Sequence, residues 1–174
     1  MADRLAQFSG NNANRANTAF MIGFFTIVGA WGFELIGGYQ PCELCLAQRI
    51  PYYIGLPLLV LIIGGWTKIP TYLRIALTLT VAAIFLWSTY LGIFHAGVEW
   101  KFWPGPTACA GTGESLDFSA LSSINEARVV PCDDPEFRFL GLSFAGYNAL
   151  ISALVAAFLL WSAHGQVKRL SQQT

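Results

Sequence analysis

The sequence predicts an all-α fold: a bundle of four transmembrane helices, with a long, mostly irregular outer loop between the third and the fourth. Three observations carry that expectation. Hydrophobic residues make up 55% of the 174, and mean hydropathy is +0.51. Charged residues make up only 11%, against roughly 25% in an ordinary soluble domain. That is too little charge for a water-soluble globule and the opposite bias to a disordered chain. Third, charge-free runs cover residues 16–33, 50–67, 75–98 and 139–167. A bilayer core of about 30 Å needs about 20 helical residues, and continuous runs favour helices over a barrel of alternating strands. Ten Lys and Arg against ten Asp and Glu give a net charge of zero, so no basic excess is present to hold nucleic acid.

The elements follow as one membrane domain over 1–174. Residues 1–17 read as a polar tail. The spans are expected at about 18–37, 47–66, 72–94 and 143–163, with outer loops at about 38–46 and 95–142. In the last run, only the stretch from about Phe144 to Trp161 is dense enough to be a span. The first run exceeds the h-region of about 7–15 residues typical of a signal peptide and lacks a small-residue cleavage site, so a retained helix is expected. Trp66, Trp87, Trp100, Trp103 and Trp161 fall near span ends or in loops, as interfacial anchors do. Leu116, Ala120, Leu121 and Ile124 recur at helical spacing, which predicts one short amphipathic helix on the membrane surface.

Charge sets the orientation. An even number of spans puts both termini on one side, with Arg4, Arg15, Lys68, Arg74, Lys168 and Arg169 against Asp3 as its one acid. The opposite side holds Arg49, Lys101, Arg128, Arg138 and the other nine acids. Loops rich in Lys and Arg stay cytoplasmic, so both termini are expected inside.

All four cysteines then face outward, Cys42 and Cys45 in the first loop and Cys109 and Cys132 in the second. Disulfides persist in such a compartment when it is oxidising, as the bacterial periplasm is. Four cysteines allow three connectivities. Pairing within each loop is favoured, because Cys42 and Cys45 are close enough to bond each other. So small a ring gains little chain entropy, which suits a redox pair or a metal clamp better than a staple. The second pair encloses 22 residues and taken alone reads as a staple of about 3 kcal/mol. Beside an exposed C-x-x-C on the same face, it reads as a redox partner.

Cys45 opens the second span, where helix amides stabilise a thiolate. Arg49, four residues on, shares its helical face, and a permanent cation lowers a thiol pKa further. Pro51 predicts a kink or a fresh helix start near Arg49. His95 falls at the outer end of the third span near the membrane surface, level with Cys45 and Arg49, where it can move protons or donate a hydrogen bond. Glu34 lies at the same level and is a candidate partner for Arg49. The prolines of Trp103-Pro104-Gly105-Pro106 predict an extended segment leading into Cys109, suited to docking in a partner's groove.

The run Gln40-Pro41-Cys42-Glu43-Leu44-Cys45-Leu46-Ala47-Gln48-Arg49 resembles the disulfide bond formation protein B (DsbB) family of bacterial membrane oxidases. So does the order of parts: a C-x-x-C-x3-R opening helix two, a histidine ending helix three, then an outer loop with a second cysteine pair. Trp103 to Cys109 and Cys132 to Leu142 fit the same family. The resemblance implies that Cys109 and Cys132 form the disulfide that meets a soluble, DsbA-like thioredoxin-fold partner, with Cys109 carrying the mixed disulfide. It implies that Cys42 and Cys45 receive the electrons and that Cys45 faces a membrane quinone, ubiquinone or menaquinone. It makes Arg49 the quinone-site arginine, puts His95 beside that site, and calls for no metal. It places the protein in the bacterial inner membrane with the cysteines periplasmic.

The chemistry is consistent with that reading. A DsbA-type dithiol, at about −120 mV, needs an acceptor of higher potential, and a quinone reaches the bilayer edge. No glycine-rich dinucleotide loop is present. Three alternatives are weighed. A reductase resembling vitamin K epoxide reductase also has a C-x-x-C, but there the loop cysteines precede it. A four-thiolate zinc site needs two closely spaced pairs. The third is a structural membrane protein with two inert disulfides.

Overall fold

The computed structural model describes residues 2–106, 131–135 and 137–172. Four helices carry it: α1 (Ala2–Leu35), α2 (Glu43–Gly64), α3 (Thr71–Glu99) and α4 (Phe144–Ser171). Each contains a segment long and apolar enough to cross a membrane. Before α4 lies a hairpin, β1 (Arg138–Phe139) and β2 (Leu142–Ser143), paired antiparallel with Arg138 opposite Ser143. Its two-residue turn puts Leu140 at φ 49° and Gly141 at φ 83°, the left-handed pair that a type I′ connection requires.

The helices form a ring in chain order, and α4 closes onto α1. Tyr52, Leu59, Val81, Phe85, Val155 and Leu159 fill the centre. The outside is as apolar as the inside: Phe25, Leu61, Tyr72, Trp87 and Leu150 are exposed. Water would penalise such a surface and lipid does not. Helix association in lipid therefore relies on close packing and polar contacts. A methyl group added at Gly92 would lie 2.8 Å from the Ala149 backbone nitrogen. Beside that approach, Ser152 Oγ donates to Ser88 Oγ at 2.9 Å, both groups fully buried.

The helices outrun the expected spans, for identifiable reasons. Residues 2–17 are helical rather than a tail. Asn12 is buried and its carbonyl accepts from Ser162 Oγ at 2.8 Å, while the Arg15 guanidinium sits 4.0 Å from the Trp161 ring. Packing on α4 thus supplies what polar composition lacks. At the other terminus α4 runs on to Ser171, with Lys168 and Arg169 in its last turn, where cations complement the helix dipole. No fresh start occurs at Pro51: α2 begins at Glu43 and runs through Pro51 and Pro57. Trp66 is buried beneath Arg74, 4.6 Å from its guanidinium, and is no interfacial anchor. The expected surface helix near residue 120 and Cys109 lie outside the described residues.

Candidate active site

The first cysteine is the cap of a helix. Cys42 takes an extended conformation, φ −73° and ψ 171°, and its sulfur accepts the Cys45 backbone N–H at 3.3 Å. Pro41 before it enforces the non-helical entry. Cys45 stands one turn in, and the two sulfurs are 2.9 Å apart. Both thiols are free. The helix end therefore stabilises a thiolate at Cys42 rather than at Cys45, where sequence reading placed it. Cys42 is only 6% exposed while Cys45 is intermediate, so Cys42 is not the more exposed of the pair.

The Cys42 thiol is lowered to about 4. The hydrogen bond from the Cys45 thiol is the largest cause. Burial opposes it, and His95 and the Cys45 amide reinforce it.

Cys132 completes the sulfur cluster. It is 2% exposed, packs on Cys42 and is disulfide-bonded. Its sulfur, the Cys42 sulfur and a His95 ring nitrogen lie within 4.8 Å of one another. Two loops far apart in sequence thus place their sulfurs in contact range. A sulfur held in a disulfide is no thiolate ligand, so this donor set does not fit the four-thiolate zinc alternative.

His95 is not at the surface. It is 2% exposed, because α3 continues one turn past it to Glu99. Gln48 Nε2 meets His95 Nδ1 at 2.7 Å and the Leu44 carbonyl at 3.2 Å. A carbonyl only accepts, so the Gln48 nitrogen faces both, and Nδ1 accepts. The ring proton therefore sits on Nε2, which is 3.7 Å from Cys42 Sγ and 3.7 Å from Glu99 Oε1. Gln48 is held in turn: Asn148 Nδ2 donates to its oxygen at 2.6 Å, and Tyr52 Oη donates to Asn148 Oδ1 at 2.8 Å. The buried Glu99 Oε2 has no hydrogen-bond partner among the described residues.

The cluster opens on a cavity of about 580 Å³. Cys45 and Arg49 line it from one face of α2, as the four-residue spacing predicts. Arg49 Nη1 donates to Glu34 Oε2 of α1, the pairing expected from sequence. One wall is aromatic: Phe33, Tyr39, Phe137 and Phe144 pack on one another, mostly edge-on or tilted, with Phe33 and Phe144 centroids 4.9 Å apart.

Sequence reading missed Gln48, Glu99, Asn148 and this aromatic wall. Signals for three of them were present. Gln48 and Asn148 are amides within apolar spans, and polar groups there mark function by default. Glu99 follows His95 by four residues, which puts both on one helical face. The wall joins α1, both loops and α4, and no local pattern announces it.

The fold and site define a multi-pass membrane protein with a buried thiol centre. The chain belongs to the family of disulfide bond formation protein DsbB, whose model matches residues 14–162. It is thus a membrane protein of disulfide-bond formation. It is 28% identical over 132 residues to the uncharacterized protein RP370 of Rickettsia prowazekii (strain Madrid E), covering 72% of this chain and 73% of that one. No solved structure matches it.

Proposed function

We propose that this chain is a protein-dithiol:quinone oxidoreductase of the bacterial inner membrane. It reoxidises a soluble DsbA-like oxidant on the periplasmic side, and both its termini are cytoplasmic. One observation carries the reading: the buried Cys42 and Cys132 pack with the half-buried Cys45 at the edge of a cavity lined by Arg49.

The cavity suits a quinone. Its volume and aromatic wall match a planar apolar ring, and Arg49 supplies a donor for a ring oxygen. When bound, a quinone accepts two electrons and two protons, the number a dithiol releases on closing to a disulfide. Arg49 is the group that would polarise an oxygen there.

The residues divide the remaining work. A partner thiolate attacks Cys109, breaking its bond to Cys132 and releasing the Cys132 thiolate. Cys132 attacks Cys42 of the oxidised Cys42–Cys45 pair, and Cys45 leaves as a thiolate facing the cavity. A second partner thiol then closes the partner's own disulfide and releases the Cys109 thiolate, which attacks Cys132, re-forms the loop disulfide and leaves Cys42 and Cys45 as the reduced pair. His95 holds its Nε2 proton toward Cys42 and stabilises negative charge at that sulfur, while Glu99 is placed to take up or deliver a proton beside it.

A catalytic amount of the protein, mixed with a reduced thioredoxin-fold oxidant, tests the proposal. Loss of partner thiols should require added quinone and yield one quinol per disulfide. Oxidation at the same rate without quinone would overturn the reading.

A further inference from the structure

At the end of the bundle opposite the cysteines lies a second, polar cavity of about 380 Å³. It is lined by Lys68, Arg74, Arg169, Trp66 and Thr71, among others. Its three charged side chains are all cationic, and among the described residues no carboxylate pairs with any of them.

Arg74 is only 4% exposed. Its Nε donates to Gln166 Oε1 at 2.9 Å and its Nη1 to the Trp66 carbonyl, and its face lies on the Trp66 ring. Those partners satisfy hydrogen bonds and hold the guanidinium still, but they bring no negative charge. Arg169 adds a second cation to the same cavity, and its buried Nε has no hydrogen-bond partner among the described residues. The first turn of α3 also faces this region. Its cap is Pro70, which offers no side-chain hydrogen bond, and the turn contains no acid. Its leading N–H groups therefore lack a capping side chain, and the positive end of the helix dipole adds to the field.

Gathering cations in a partly buried site without a counter-charge is unfavourable. A site built this way is complete only when an anion enters it. Its place at the tips of membrane helices selects the anion, since exposed Tyr72 and Leu73 continue from it along the lipid-facing side. We propose that Lys68, Arg74 and Arg169 form a binding site for the phosphate of an anionic phospholipid headgroup, in the leaflet opposite the thiol centre. A free phosphate shares that chemistry, and the test separates the two.

The protein is reconstituted in nanodiscs of phosphatidylcholine with increasing phosphatidylglycerol, and lipid retained on extraction is counted by native mass spectrometry. Wild type should retain phosphatidylglycerol selectively. Lys68→Gln and Arg169→Gln should each weaken that preference about fivefold. Lys168→Gln removes a neighbouring charge that does not line the cavity, and it should leave the preference intact. Both tested residues have side-chain positions outside the core, and a thermal melt of each variant confirms folding. Equal retention of both lipids by wild type, or an equal loss in Lys168→Gln, would overturn the site. Displacement of the lipid by millimolar inorganic phosphate would overturn the headgroup assignment in favour of a free anion.

Discussion

Gln48 Nε2 lies 2.7 Å from His95 Nδ1, and that contact decides which end of the imidazole carries the proton. With Nδ1 accepting, the Nε2 proton is held between Cys42 Sγ and Glu99 Oε1. A glutamine one residue before the site arginine thus orients a group on another helix. Removing it should be felt at the thiol rather than at the quinone.

Gln48→Leu removes the partner of His95 Nδ1 and the acceptor of Asn148 Nδ2, a loss of about 1–3 kcal/mol. The ultraviolet titration of the Cys42 thiolate should move upward, and turnover should fall about tenfold with little change in quinone KM. An unchanged titration curve would show that His95 is held by packing alone.

The lowered Cys42 pKa has a defined pH consequence. A thiolate favoured in the folded, reduced protein stabilises that form fully above the ordinary value of 9.0. The contribution shrinks as pH falls from there and is gone below about 4. Alkylation of Cys42 in the reduced protein should therefore persist at mildly acidic pH. Cys45→Ala removes the strongest cause, so its titration should rise steeply. Alkylation that falls off around the ordinary thiol range in the unsubstituted protein would contradict this.

Arg49→Ala removes the cavity's cation. Loss of a charge-assisted hydrogen bond costs about 1.5–3 kcal/mol, so quinone KM should rise roughly tenfold to a hundredfold. Glu34→Gln keeps the guanidinium but loosens it, and its effect on KM should be several times smaller. Steady-state kinetics over quinone concentration reads both. Wild-type kinetics in Arg49→Ala would make the residue a membrane anchor.

Gly92→Leu tests the bundle itself. The α3–α4 approach leaves no room for a side chain, and overpacking of this kind costs about 1–3 kcal/mol or more. The thermal midpoint in detergent should drop by several degrees. An unchanged midpoint would mean that the helices part without cost.

Fold class was legible because lipid imposes a coarse rule: runs of apolar residues of sufficient length become helices. Helix ends were less legible, since they depend on contacts between distant residues. The tail is helical because Asn12 meets Ser162, and α3 continues because Glu99 is buried beside His95. At the site, Cys45 and Arg49 share one helical face, which spacing alone predicts, and the Arg49–Glu34 pair follows from their common level. The burial of His95 and the capping role of Cys42 were not legible. The cap is a local contact between Cys42 and the Cys45 amide, but the spacing does not say which cysteine takes it. His95 is buried where the second loop returns Cys132 to the first, a three-dimensional closure with no local signature.

That closure is the central claim: electrons pass between the two loops through Cys132 and Cys42. Disulfide mapping of Cys45→Ser tests it most directly, since the serine cannot resolve the exchange. The protein is first loaded by an oxidant so that its loop disulfide is closed and Cys42 is free. The Cys42 thiolate then displaces Cys109 from Cys132, so peptide mapping should find Cys42 joined to Cys132 and Cys109 as a free thiol. A free Cys42 with the Cys109–Cys132 pair intact would contradict the account and reduce the second pair to a staple.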